Sequence, residues 1–247
     1  MSFSSGYAGG GNDYVFANHA FDAADQIDGG SGFDVVGLLG TYNVTLGAST
    51  LTNVEKLDAY SSGNVAAPNN YTLIMNDGNV AAGQQLFVTA ASLRTGEHLN
   101  FDGSAETNGK FLIYGGHDSD TIVGGAGADR IIGGEGADTL TGGAGNDAFQ
   151  FNLKTDSTPA ARDTIIDFAT GDKLDFYFFD ANDNAGGSQH FTFIGTAAFS
   201  NVAGQLMVVD QGGGHWLVEG DTNGDGVADF SLAVTSDHAL GLGDFNL

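Results

Sequence analysis

The sequence predicts an all-β chain built as a solenoid of short strands, and three observations carry that expectation. A nine-residue pattern runs four times in succession from Gly115 to Gln150, as GGHDSDTIV, GGAGADRII, GGEGADTLT and GGAGNDAFQ. Upstream of it, short apolar segments recur every 11 to 16 residues or so, with turn residues between them. No long helical periodicity interrupts this order; Val80–Gln85 and Ala90–Thr95 offer one or two helical turns at most.

Each place in the nine-residue unit has a physical role. The opening glycines permit positive φ and close backbone approach, so six residues make a tight turn. Asp120, Asp129, Asp138 and Asp147 end the turns with a carboxylate. The last three residues form a very short strand, and its middle residue (Ile122, Ile131, Leu140 or Phe149) points inward because strand side chains alternate faces. A cage of carboxylate and carbonyl oxygens suits a hard cation, and a flexible one suits calcium better than magnesium. A disordered glycine-rich linker would not need an apolar residue at every eighth place.

This GGxGxDxUx pattern is similar to the repeat of the RTX (repeats-in-toxin) proteins. The resemblance implies a parallel β-roll with two units per coil and calcium between turns stacked on the same side. On that rule Asp120 pairs with Asp138, and Asp129 with Asp147. The resemblance also implies carbonyl ligands from the first four places of each turn. These are Gly115 and Gly116; Gly124, Gly125, Ala126 and Gly127; Gly133, Gly134, Glu135 and Gly136; and Gly142, Gly143, Ala144 and Gly145. Asp118 stands where the first unit should have its third glycine, which departs from the pattern and adds a carboxylate.

The bulk composition agrees. The 247 residues carry a net charge of −24 from 31 acidic and 7 basic side chains, which makes nucleic acid and anionic membranes poor partners. Without cations such a chain repels itself and compacts weakly. Calcium that binds only the folded form adds about 2.7 kcal/mol per site at a hundredfold excess over its dissociation constant. There are no cysteines, so neither disulfides nor thiolate metal sites are available. No apolar run reaches membrane-spanning length, and MSFSSGYAGGG lacks the basic and apolar regions of a signal peptide.

In chain order, Ala8 to Phe16 (AGGGNDYVF) and Gly29 to Gly37 (GGSGFDVVG) repeat the nonapeptide, making Asp13 and Asp34 candidate calcium ligands or plain Asx turns. An insert separates them, so spacing does not assign their partner turns. From Leu38 to Tyr114 the segments read as irregular solenoid rungs, with a separate β-sandwich as the alternative. Residues 1–110 are thus expected to form an N-terminal solenoid-like region, and 111–247 the roll, a cap and an export signal.

After Gln150 aromatics crowd the chain, including four in a row at Phe176–Phe179, where a strand would bury only alternate ones. DTIIDFATGDKLD, FIGTAAFS, GQLMVVD and HWLVEGDTNGDGVADFSLAV follow in an order that resembles the C-terminal domain of serralysin-type secreted metalloproteases. That resemblance covers about Phe111 to Leu247 and implies a β-rich cap closing the roll. Asp221, Asn223, Asp225 and Asp229 in DTNGDGVAD resemble an EF-hand loop, although Leu232 replaces its bidentate Glu; an occupied site and a hydrogen-bonded turn are equally compatible with the spacing. The end, Gly243-Asp244-Phe245-Asn246-Leu247, resembles the uncleaved signal of type I secretion substrates.

No catalytic constellation emerges. HExxH and GxSxG are absent, and His19, His98, His117, His190, His215 and His238 form no i, i+4 pair. The chain is therefore expected to be no enzyme. It reads as a calcium-binding, type I-secreted extracellular or cell-surface protein that folds on calcium and self-associates as a surface-layer, matrix or filament component. The rival readings are the exported tail of a longer hydrolase and a polysaccharide-binding module.

Overall fold

Short strands between glycine turns stack in parallel when the inward residue of each strand lands on its counterpart one coil later. The computed structural model describes residues 6–7, 9–18, 21–64 and 66–247, so His19 and the first residue of the Ala8–Phe16 unit lie outside the description. Among the described residues the chain is all-β, with one short 3-10 turn at Leu242–Asp244. Val80–Gln85 and Ala90–Thr95 make single hydrogen-bonded turns rather than helix, closed by Gln84 N–H to Ala81 and Leu93 N–H to Ala90.

Two long sheets form the walls of the roll. A nine-stranded sheet follows, in spatial order, Tyr14–Asn18, Val35–Leu39, Lys56–Tyr60, Gln85–Thr89, Lys110–Gly116, Arg130–Gly134, Ala148–Gln150, Lys173–Asp175 and Phe245–Asn246. A ten-stranded sheet begins at Tyr42–Thr45 and continues through Tyr71–Ile74, Leu99–Asp102, Thr121–Val123, Thr139–Thr141 and Asp163–Phe168 into the C-terminal strands. From Lys56 to Asp175 the chain alternates between these walls, and the ladders there are parallel. A small third sheet of Gly6–Tyr7, Ile27–Asp28 and Leu51–Thr52 lines the N-terminal coils.

Register puts like on like. Ile122 pairs with Leu140 and Leu140 with Ile165 on one wall, while Ile131 pairs with Phe149 and Phe149 with Leu174 on the other. All six are fully buried. Each such side chain contributes roughly 1.5–3 kcal/mol by leaving water. That inner column keeps the strands stacked although a three-residue strand such as Thr121–Val123 or Thr139–Thr141 offers only one buried residue.

The cap starts where the regular units end. Gln205–Gly212, His215–Asp221 and Phe230–Ser236 run antiparallel and join the ten-stranded wall, with Phe230–Ser236 parallel to Asp163–Phe168. Phe176 centres an aromatic cluster, with ring centroids 5.5 Å from Phe151, 5.7 Å from Phe191 and 5.3 Å from Phe230. The cluster closes the end of the inner column with edge-to-face and stacked contacts. The four aromatics at Phe176–Phe179 are not a strand. Phe179 N–H bonds to Phe176 C=O at 2.9 Å, so the segment is a turn. Its two outer rings are buried, whereas Tyr177 is 53% and Phe178 63% exposed. A four-residue turn brings its ends together, which is why the first and fourth residues share a face.

Candidate metal centre

The turns stack along the two edges of the roll, and the aspartates stack with them. On the edge leading into the ten-stranded sheet, Asp120 N–H donates to Asp138 Oδ1 at 2.8 Å, and Asp138 N–H to Asp163 Oδ1 at 2.9 Å. On the opposite edge Asp129 N–H donates to Asp147 Oδ1 at 2.8 Å, and Asp147 N–H to Asp172 Oδ1 at 2.9 Å. Every carboxylate thus takes one N–H from the coil before it, which fixes its rotamer and leaves its second oxygen to face the turn.

That second oxygen has no partner. The Oδ2 atoms of Asp120, Asp138, Asp147 and Asp163 are buried and accept no hydrogen bond; Asp129 and Asp172 differ, their Oδ2 atoms accepting Gly125 N–H at 2.6 Å and Ala169 N–H at 2.8 Å. An orphaned buried oxygen is costly, and a row of ionised ones more so. Burial pushes the Asp120 carboxyl up to about 8, Asp147 to about 7 and Asp129 to about 6, against the backbone hydrogen bonds that favour the charged form. Burial also raises Asp138 and Asp163, each with neighbouring carboxylates adding to the shift.

Glycine is required around these oxygens. A Cβ on Gly133 would sit 2.2 Å from Asp138 Oδ2, and one on Gly142 would sit 2.5 Å from Asp147 Oδ2. Gly134 and Gly143 have φ of +100° and +95°, and a Cβ there would strike the carbonyl oxygens of Gly116 and Gly125. The first place of the unit therefore leaves room over the carboxylate, and the second lets one turn lie on the next. Among the described residues no three His, Cys, Asp or Glu side chains gather in one metal-holding cluster. Carboxylates come in stacked pairs, so backbone carbonyls are the donors left to complete an oxygen cage. Unpaired carboxylate oxygens in a glycine cradle of carbonyls fit a hard cation such as calcium.

The same geometry recurs near the N-terminus. Asp13 N–H donates to Asp34 Oδ1 at 2.7 Å across 21 residues, and both Oδ2 atoms are buried without partners. A Cβ on Gly30 would meet Gly9 O at 1.9 Å, and one on Gly32 would meet Gly11 O at 2.0 Å. Asp13 and Asp34 are thus partners, a pairing that spacing alone left unassigned. Asp34 N–H in turn donates to Glu55 Oε2 at 2.7 Å.

A family model for the RTX calcium-binding nonapeptide repeat, in four copies, matches residues 19–36 and 114–149. The chain carries RTX calcium-binding repeats. A search of curated proteins found no match. The RTX repeat is a non-catalytic calcium-binding unit, and several ions per chain follow from its repetition.

The other sequence candidates in the RTX roll are placed differently. Asp118 is spent on the turn: its Oδ2 accepts Gly96 N–H and its Oδ1 accepts Ser119 N–H. Glu135 is a candidate through its backbone carbonyl; its side chain is partly exposed and pairs with His117 at 3.1 Å. In the 221–229 loop, Asp221 accepts Gly224 and Gly226 N–H at 2.6 and 2.9 Å, and Asp229 takes bonds from Thr222 and Asn223. None of that loop's carboxylate oxygens is among the buried unpartnered ones. The described histidines remain dispersed, His98 against Ser119 O, His215 against Thr235 and His238 between Asp237 and Asp244.

Sequence reasoning missed Asp163, Asp172 and Glu55. Asp163 and Asp172 lie nine residues apart, the period of the repeat, but their glycine context is gone and each follows its partner by 25 residues. The 21-residue step from Asp13 to Asp34 reaches Glu55 when taken once more.

Proposed function

We propose that this chain is a secreted calcium-binding β-roll that folds when it meets extracellular calcium and then associates with copies of itself in a surface layer, matrix or filament. The row of buried, unpartnered Oδ2 atoms at Asp120, Asp138, Asp147 and Asp163 carries the reading. Without a cation at neutral pH those carboxyls must take up protons or stay buried and charged, and there either course weakens the fold. In this reading Asp120 with Asp138, Asp138 with Asp163, Asp129 with Asp147 and Asp13 with Asp34 hold calcium together with carbonyls of their turns. Magnesium is a poor substitute, because it demands a rigid octahedron and loses its waters reluctantly.

The cytosol's low free calcium keeps the acidic chain extended and suited to type I export; calcium outside then drives folding. Association is supported by the strand Tyr14–Asn18, which is the edge of its sheet among the described residues and exposes Tyr14 and Phe16, and by Tyr177 and Phe178 on the cap. Uncovered strand edges with aromatic side chains are surfaces on which copies pair.

The test is a calcium titration from zero to about 10 mM, above the weakest extracellular sites, followed by circular dichroism and sedimentation. β-signal and large assemblies should rise together. A chain that folds but stays monomeric at high concentration would remove the assembly role and leave a secretion and folding module. A chain fully folded without calcium would remove the switch.

A further inference from the structure

Glu106 is fully buried, lies outside the nonapeptide units, and has no partner for its Oε2. Its Oε1 accepts Asn108 and Gly109 N–H at 3.0 and 2.7 Å, which fixes the carboxylate inside its own turn. That turn stacks under the one carrying Asp129. Glu106 C=O accepts Ala126 N–H at 2.8 Å, as Gly125 C=O accepts Ala144 N–H at 2.9 Å one coil later. A Cβ on Gly127 would strike Gly109 O, as one on Gly145 would approach Gly127 O. The turn before the first RTX unit on this edge is therefore built like an RTX turn.

It lacks the RTX aspartate. Phe111 N–H donates to Asp129 Oδ1 at 2.7 Å, just as Asp129 N–H donates to Asp147 Oδ1, so Phe111 occupies the aspartate's place and is buried in the core. Glu106 stands instead where Gly125 and Gly143 stand in the later turns. A Cβ on Gly125 would lie 3.2 Å from Glu106 Cβ. The other edge provides an internal contrast. There Leu99 N–H donates to Asp120 Oδ1, and a Cβ on Gly116 would meet Leu93 Cβ at 3.4 Å, so an apolar side chain fills the place Glu106 fills here.

We propose that Glu106 is a calcium ligand and that, with Asp129, it holds a calcium ion between the 103–109 turn and the 124–129 turn, one coil ahead of the RTX repeats on that edge only. The carboxylate lost to the core at Phe111 is supplied from the start of the turn by a longer side chain. The Glu106 charge adds to burial in raising Asp129, as expected of two carboxylates facing one site. The inference rests on the calcium reading of the RTX turns.

Native mass spectrometry of the full chain, dialysed against saturating calcium, counts the ions. Glu106→Gln should bind one ion fewer than the wild type while keeping the wild-type β-signal. An unchanged count overturns the site. Asp147→Asn serves in parallel: if it loses ions and E106Q does not, only the Glu106 site fails, whereas a wild-type chain with no bound ion removes the calcium reading itself. Should E106Q not fold, wild-type crystals grown with terbium decide. An anomalous peak within about 2.3–2.6 Å of Glu106 Oε2 supports the site, and an empty position beside occupied RTX turns overturns it.

Discussion

Asp120 donates its backbone N–H to the side chain of Asp138 at 2.8 Å, eighteen residues and one full coil away. The bond makes each carboxylate a brace for the coil before it, and in the proposed calcium sites the same carboxylate is also a ligand for the turn between them. Asp138 is the middle member of its row, donating to Asp163 in turn. Asp138→Asn keeps the shape and the Oδ1 acceptor but removes the charge. It should raise the calcium midpoint of folding about tenfold or more, since a lost charged contact is worth roughly 1.5–3 kcal/mol. A calcium titration followed by circular dichroism measures it; an unmoved midpoint would discard Asp138 as a ligand.

Gly143 has φ of +95° and would place a Cβ 2.1 Å from Gly125 O. Gly143→Ala should cost about 2 kcal/mol, which lowers the calcium-loaded Tm by about 4–8 °C in a chain of this size. Gly186 has nothing within 4 Å of its Cβ position. Gly186→Ala should therefore stay within about 0.5 kcal/mol of the wild type. Equal Tm values for the two variants would refute the stacking constraint.

Acid should favour the calcium-free fold. Burial raises Asp120 to about 8, Asp147 to about 7 and Asp129 to about 6 in the fold, while the unfolded chain releases those protons near the ordinary value of 3.8. The fold thus binds more protons between those limits. Its stability is greatest below the unfolded value and is lost as pH rises through the folded ones. In calcium-stripped buffer the β-signal should be stronger at pH 5 than at pH 8, and calcium should restore it at pH 8. A calcium-free β-signal that grows with pH would contradict this assignment.

Glu97 works in the opposite direction, as a purely structural carboxylate. Burial works to raise its carboxyl, but N–H donors from Asn69, Ser62 and Arg94 outweigh burial and hold it at about 2. Its contribution is present above the unfolded value of 4.5 and lost only as pH falls through the folded one. Glu97→Gln should cost about 1–3 kcal/mol at neutral pH and leave the calcium count unchanged. Thermal melts with ion counting check both; a lost ion would make Glu97 a ligand after all.

Much of the roll was legible in advance because one coil of it is two identical units. Ile122, Ile131, Leu140 and Phe149 announce the inner column, and Asp120 to Asp147 the two edges, by position alone. Legibility stops where loop length changes. Asp163 and Asp172 continue both rows after steps of 25 residues, and Asp34 and Glu55 follow after steps of 21. Stacking depends on where a strand re-enters the wall, and the loop between strands absorbs the extra residues at little entropic cost. Phe176–Phe179 misled for a related reason: aromatic density suggests a strand, but the backbone turns there to seal the column with its outer rings.

The sequence by itself determined the all-β repeat architecture, the turn chemistry and the choice of a hard cation. Those follow from residue type at fixed spacing, through glycine's freedom at positive φ and the oxygen chemistry of aspartate. Outside the four regular units, only the tertiary structure decided which carboxylates meet. It paired Asp13 with Asp34, extended the rows to Asp163 and Asp172, enclosed Glu106 under Asp129, and tied off Asp118 and the 221–229 loop in hydrogen bonds. Partnership between turns is a property of register, and register is settled by burying the inner column rather than by distance along the chain.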